Sequence, residues 1–202
     1  MRQGSMGNEG IFRGSLAVIF ALLILIRLSY SRTGRNGEAA SAKRENGTDV
    51  ALLKAINALA AVATLVYLVA PRLVSRAALP LPIWLRRVGG LLGLITVALF
   101  FRVHHALGGN WSVSAGTTGQ HTLVTAGPYR RIRHPMYSTL FVWALAFFLL
   151  SANWLVGGTW LALGLVAASR AGREEAALLE RFGAEYRAYM RRTGRFLPRL
   201  RR

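Results

Sequence analysis

The chain has 202 residues, 53% of them hydrophobic, and a formal net charge of +18 from 26 Lys+Arg against 8 Asp+Glu. Such apolar content excludes a disordered chain. The absence of cysteine excludes a disulfide framework, Cys-ligated zinc, iron–sulfur chemistry and a thiol nucleophile.

The excess of positive charge points to nucleic acid or to an anionic membrane as neighbour, and the placement of the charges decides between them. Residues 14–26, 55–71 and 88–101 carry no charge. Each run is flanked by long basic side chains, Arg13 and Arg27, Lys54 and Arg72, Arg87 and Arg102. Such side chains snorkel, so each run extends toward the roughly 20 residues that a bilayer span needs. A fourth uncharged run, residues 135–169, is 35 residues long, too long for one helix. Ser151, Ala152 and Asn153 form a polar break within it. The run reads as a helical hairpin of residues 136–150 and 154–169. The expectation is an all-α integral membrane protein with five transmembrane helices, the last two a hairpin. None of the runs carries a polar stripe at a 3.6-residue period, which argues against a soluble bundle. The residues after the first run, Leu28 to Ser31, offer no small-x-small cleavage site, so that run reads as an uncleaved anchor.

Orientation follows from Lys and Arg. With the N-terminus outside, the first loop contributes five basic residues to the cytoplasmic face, the third loop four and the tail from Arg170 ten, nineteen of the 26. The spread over membrane flanks, with no aromatic stacking platform, excludes nucleic acid as the default partner. The 24 Arg against 2 Lys suggest a GC-rich bacterial genome and an inner (cell) membrane location.

Between the runs, residues 31–49 read as a flexible cytoplasmic loop and residues 77–82, with two prolines, as an outer turn. The chain divides into an N-terminal region, 1–103, with three spans, and a C-terminal region, 104–202. The latter opens on a long loop of Gly, Thr, Trp and His, the kind of loop that carries function. The tail 173–192 reads as an amphipathic helix with Ala176, Leu179, Phe182 and Tyr186 on one face.

The hairpin has a geometric consequence. Two helices of similar length joined by a short turn end at the same depth, so residues 134–137 and 170–175 face each other at the cytoplasmic surface. His134 and Tyr137 stand at i, i+3, and Arg170 and Glu174 at i, i+4, each pair on one side of its helix. Ordinary roles exist for every member: a helix cap for His134, a surface pair for Arg170–Glu174, interfacial aromatics for Tyr129 and Tyr137, and an answer to the helix dipole for Glu174 and Glu175. The four histidines, His104, His105, His121 and His134, lack metal-ligand spacing, so no metal is expected.

Residues 121–137, HTLVTAGPYRRIRHPMY, resemble the cofactor motif of the isoprenylcysteine carboxyl methyltransferase-like family, and the Arg-His-Pro-x-Tyr core is shared with phospholipid N-methyltransferases. The second half matches too: Arg170-x-x-x-Glu174-Glu175, Leu178, Phe182-Gly183-x-Glu185-Tyr186-x-x-Tyr189, and Arg192 through Phe196 to Pro198. Leu107-Gly108 and Trp111-Ser112 fit upstream, and the resemblance covers roughly residues 104–198. It implies S-adenosylmethionine as cofactor and methyl transfer at the membrane surface. By position it implies cofactor contacts at His121, Leu123, Val124, Tyr129, His134, Pro135, Tyr137, Glu174 and Glu175, and a substrate-side arginine at Arg170. Thr139 departs from the family's glycine two residues after the tyrosine, where glycine allows close backbone approach.

The side-chain chemistry agrees with those roles. Glu174 suits an ammonium, and tyrosine faces suit a sulfonium methyl. Arg170 suits a two-point contact with a carboxylate acceptor. A carboxylate or thiol acceptor needs no strong base; an amine does, and Glu175 or His134 are the candidates. The acceptor class therefore stays open among carboxylate, thiol and amine of a lipophilic or small molecule, with membrane lipids as neighbours. Two rival functions have separate signatures. A non-catalytic adaptor or lipid-binding module on the same scaffold fails to bind S-adenosylhomocysteine. A nicotinamide-dependent membrane reductase needs a second phosphate site, for which Arg130, Arg131 and Arg133 are the available cations.

Overall fold

The computed structural model describes residues 3–41, 47–107 and 123–199. His121, Gly108, Trp111 and Ser112 lie outside the described residues, as do Lys43 and Arg44. All regular structure among the described residues is helical: α1 (Gln3–Ser41), α2 (Gly47–Val69), a 3-10 helix Pro71–Ala77, α3 (Ile83–Leu107), a 3-10 turn Gly127–Arg130, α4 (Pro135–Ser151), α5 (Trp154–Ser169) and α6 (Ala171–Arg192).

Four helical stretches are long and apolar enough to cross a membrane: Asn8–Tyr30, Asp49–Val69, Ile83–Leu107 and Trp154–Arg192, whose apolar part is α5. α4, at 17 residues, is a shorter apolar helix. α1 runs through residues 31–41, where the sequence suggested a flexible loop over 31–49. No proline interrupts this stretch, and Glu38, Ala39 and Ala40 are good helix formers, so the helix continues past its apolar segment.

Phe12, Leu16, Ile19, Phe20 and Leu23 of α1 sit at helical spacing and pack into one core with Tyr67, Phe100, Trp143, Phe147, Leu150 and Trp160. The outward faces are apolar as well: Val18, Leu91, Leu94 and Leu165 are more than half exposed. Helices apolar on all sides are the pattern of a chain solvated by lipid.

α4 and α5 are joined by Ala152, in the left-handed region at φ 49°, and Asn153. The Asn153 carboxamide oxygen accepts from the backbone N–H groups of Leu155 (3.1 Å) and Val156 (3.2 Å), and its Nδ2 donates to the Val74 carbonyl at 2.9 Å. One side chain thus caps α5 and ties the turn to the segment after α2. Gly157 lets the two helices close up, since a Cβ there would lie 2.4 Å from Phe148 Cβ. Trp143 and Trp160 stack between them with ring centroids 4.2 Å apart.

At the end of the bundle that holds this turn, Arg86 of α3 binds the Glu9 carboxylate of α1. It also donates to the Leu150 carbonyl of α4, from Nε at 3.2 Å and Nη2 at 3.1 Å. Tyr67 of α2 donates to the same Glu9 at 3.0 Å. The opposite end gathers the end of α3, the start of α4 and the start of α6, and the site lies there.

α6 differs in detail from its expected amphipathic face. Ala176 is exposed, and the buried positions are Ala171, Glu175, Tyr186 and Tyr189. A carboxylate occupies the inner face because cations from two other segments meet it there. Gly183, at φ 49°, kinks the helix midway.

Candidate active site

Pro135 opens α4, where a proline suits the first turn because its missing N–H has no partner to lose. His134 is the residue before it, at φ −120° and ψ 59°, and its side chain does not cap the helix. The imidazole lies between two carboxylates instead: Nδ1 is 3.4 Å from Glu174 Oε2 and Nε2 is 3.2 Å from Glu175 Oε1. Tyr137, one turn into α4, stacks on the imidazole at 5.4 Å with the planes 5° apart, and its hydroxyl donates to Glu174 Oε1. The structure therefore brings together four expected site residues, His134, Tyr137, Glu174 and Glu175. Pro135, between His134 and Tyr137 in sequence, is buried.

The two glutamates are adjacent in sequence and unlike in surroundings. Among the described residues Glu174 has one partner on each oxygen, His134 and Tyr137, and its side chain is 18% exposed. A carboxylate offers about four lone-pair sites, so Glu174 keeps acceptor capacity for a ligand. Glu175 receives Arg133 Nε at 2.8 Å and His134 Nε2 on one oxygen, and Arg195 Nη2 at 2.7 Å on the other. Burial pushes the Glu175 carboxyl up, but the hydrogen bonds and charges of Arg195 and Arg133 outweigh it and hold the group below the ordinary carboxylate range.

The other expected residues surround this cluster. Tyr129 is buried, and its carbonyl accepts from the Tyr189 hydroxyl at 2.7 Å. Burial raises both phenols, Tyr189 to about 12 with Arg133 and Arg192 opposing, so Tyr189 stays a donor. Arg170 is buried at the junction of α5 and α6, one turn before Glu174. Leu123 and Val124 are half-buried at the start of their segment. Thr139 is buried and turns its hydroxyl onto the Pro135 carbonyl of its own helix at 2.8 Å.

Two contributors escaped the sequence reading, Arg133 and Arg195. Arg133 also donates to the Thr193 carbonyl at 2.6 Å, which turns it inward and away from the phosphate-binding role that a reductase would require of it. Arg195 belongs to a C-terminal strap over the start of α4. Arg133 N donates to Gly194 O (2.8 Å), His134 N to Arg195 O (3.0 Å) and Gly194 N to Arg131 O (3.1 Å). The strap turns at Gly194, where a Cβ would lie 1.8 Å from the Leu197 carbonyl oxygen. Only the shortage of acids, eight against 26 basic residues, hinted that one carboxylate would serve several cations. Among the described residues no group of three or more His, Cys, Asp or Glu is arranged to hold a metal.

The family model of the isoprenylcysteine carboxyl methyltransferases matches residues 90–180, which holds α4, α5 and the start of α6 with Glu174 and Glu175. Over that stretch the chain is similar to isoprenylcysteine carboxyl methyltransferases. The protein-S-isoprenylcysteine O-methyltransferases of Mus musculus and Homo sapiens are each 30% identical to it over 118 residues, 57% of this chain and 42% of theirs. The chain thus spans less than half the length of these curated relatives. A solved structure of the eukaryotic intramembrane Ras methyltransferase, isoprenylcysteine carboxyl methyltransferase, superposes with a TM-score of 0.51 at 28% identity, again over 57% of this chain and 42% of that one. The apolar helices and this intramembrane neighbour make the protein an integral membrane protein.

Proposed function

We propose that the protein is an S-adenosylmethionine-dependent methyltransferase acting on a lipophilic or small-molecule acceptor at the membrane surface. The observation that carries this reading is the junction of α4 and α6, where Glu174 is presented by Tyr137 and His134 with acceptor capacity to spare. The residues present fit the cofactor: a carboxylate for its ammonium, and aromatic faces at Tyr129 and Tyr137 for its cationic end. Leu123, Val124, His134 and Pro135 would complete the binding surface, with His121 as the family resemblance implies. When bound, S-adenosylmethionine supplies a methyl group on a sulfonium, open to in-line displacement by a nucleophile.

This chain's own part is binding and alignment. Glu174 anchors the amino-acid end. Arg170, one turn earlier on the same helical path, holds an acceptor carboxylate by a two-point contact. Fixing both partners in line supplies much of the rate without a strong base. The relatives' names, which specify O-methylation of an S-isoprenylcysteine, favour a carboxylate beside an apolar group among the three acceptor classes. Thr139 adds bulk at the base of α4 and shapes which acceptor fits. We also place five spans in the bilayer, with α4 and α5 as a hairpin, the N-terminus outside, and the site and C-terminus at the cytoplasmic face of a bacterial inner membrane.

A radiolabelled-methyl transfer assay on native membranes, followed by organic and aqueous extraction, tests the reading. Label in the organic phase is expected. No transfer to any fraction, together with no S-adenosylhomocysteine binding by the purified protein, would leave the scaffold a non-catalytic module.

A further inference from the structure

We propose that Glu175 is a positioning residue through which the C-terminal strap, residues 193–198, sets the orientation of His134 and hence of Glu174. The ligand readout below rests on the methyltransferase reading, and the spectroscopic one does not.

The geometry is a chain of contacts. Arg195 and Arg133 hold the Glu175 carboxylate from two sides, at 2.7 Å and 2.8 Å. Glu175 Oε1 then faces His134 Nε2 at 3.2 Å, and the other nitrogen of the same ring faces Glu174 at 3.4 Å. Three donors occupy Glu175 and its side chain is 8% exposed, so it has little left to offer a ligand. The strap is fixed by backbone as well. His134 N donates to Arg195 O, the Ser138 hydroxyl donates to the Phe196 carbonyl, and the Phe196 ring lies 5.9 Å from the imidazole. The ring is held at its two nitrogens, stacked on Tyr137 and in tilted contact with Phe196, which together restrict its orientation. Supporting contacts of this kind set how well a binding group is presented. The arrangement gives a segment outside the bundle control over the site.

The test uses the full chain in nanodiscs with [15N]histidine, the His134 signals being identified by their loss in His134→Asn. Arg195→Ala and Glu175→Gln are each expected to shift the His134 ring signals, and Arg195→Lys to restore them. Arg195 is 43% exposed, so its removal leaves the core intact. Calorimetry with S-adenosylhomocysteine is expected to show about tenfold weaker binding in each variant, the scale of one lost charge-assisted hydrogen bond. The double variant is expected to be no weaker than Glu175→Gln alone, because both act along one path. Unchanged His134 signals in Arg195→Ala and Glu175→Gln overturn the proposal. So does a Glu175→Gln loss as deep as that of Glu174→Gln alongside unimpaired Arg195→Ala, since that pattern means direct ligand contact. Absence of S-adenosylhomocysteine binding by the parent overturns the cofactor reading alone, because the His134 signals are read without ligand.

Discussion

The hydroxyl of Tyr137 donates to the carboxylate of Glu174 across 37 positions of sequence. One residue stands in the first turn of α4 and the other in the first turn of α6, so the bond exists only when α5 has returned the chain to the level from which α4 started. Tyr137→Phe keeps the ring and its stack on His134 and removes the donor. S-adenosylhomocysteine binding by the full chain is expected to weaken about tenfold, the cost of an unmade hydrogen bond to a charged group. Isothermal calorimetry in detergent measures it.

Glu174→Gln removes the charge and keeps the shape. An ammonium that loses its carboxylate loses more than a neutral hydrogen bond, and calorimetry is expected to detect no S-adenosylhomocysteine binding, a loss beyond about a hundredfold. Affinity equal to the parent would show that the cofactor's amino-acid end sits elsewhere.

Gly157 sits where a Cβ would press on Phe148, 2.4 Å from its Cβ. Gly157→Ala is expected to force α4 and α5 apart and to destabilise by about 1–3 kcal/mol, the usual cost of overpacking. Unfolding in detergent followed by circular dichroism gives the value. Because the shift spreads to the helix ends, binding is expected to weaken in the same variant.

Arg86 binds Glu9 and the Leu150 carbonyl and lies 4.2 Å from the centroid of the Phe12 ring. Arg86→Met keeps the stem against Phe12 and removes the donors that link α1, α3 and α4. A loss of about 2 kcal/mol is expected, the scale of hydrogen bonds to charged groups. Adding Glu9→Gln is expected to cost less than in the parent background, since the pair is already broken.

Glu175 gives the fold an acid dependence of known sign. Its carboxyl is held below the ordinary range by Arg195 and Arg133 against the opposing effect of burial. Its contribution to stability is therefore complete above the ordinary carboxylate range and is lost as pH falls through the depressed value. Glu175→Gln is expected to melt below the parent near neutral pH, and the gap is expected to narrow on acidification below about pH 4, the range where free carboxylates protonate. Thermal melts across pH in detergent report it.

Much of the site was legible because its signals are local. The break at Ser151 to Asn153 placed the start of α4 beside the start of α6, and the Arg-His-Pro-x-Tyr and Arg-x-x-x-Glu-Glu patterns named what meets there. The partners of each group were not legible. His134 before a proline reads equally as a cap, and only the assembled bundle shows its ring between Glu174 and Glu175. In the sequence Arg86 is one more arginine beside an apolar run, and only the assembled bundle shows α4 ending against it. The buried face of α6 was read from hydrophobic spacing as including Ala176, but the inner position is Glu175. Periodicity marks apolar faces and cannot mark a carboxylate that is buried because it is paired.

By itself the sequence determined the solvent of this protein and its helical plan. The long uncharged runs follow from composition along the chain, because lipid excludes charge wherever the chain crosses it. The tertiary structure alone decided the division of labour between two neighbouring glutamates. Glu174 faces α4 and retains acceptor capacity, whereas Glu175 faces the strap and is filled by two arginines and a histidine. Adjacent residues on a helix point about 100° apart. The chain segments that converge on each direction, from residues 133–137 and 193–196, therefore settled which carboxylate keeps acceptor capacity and which one is filled by cations.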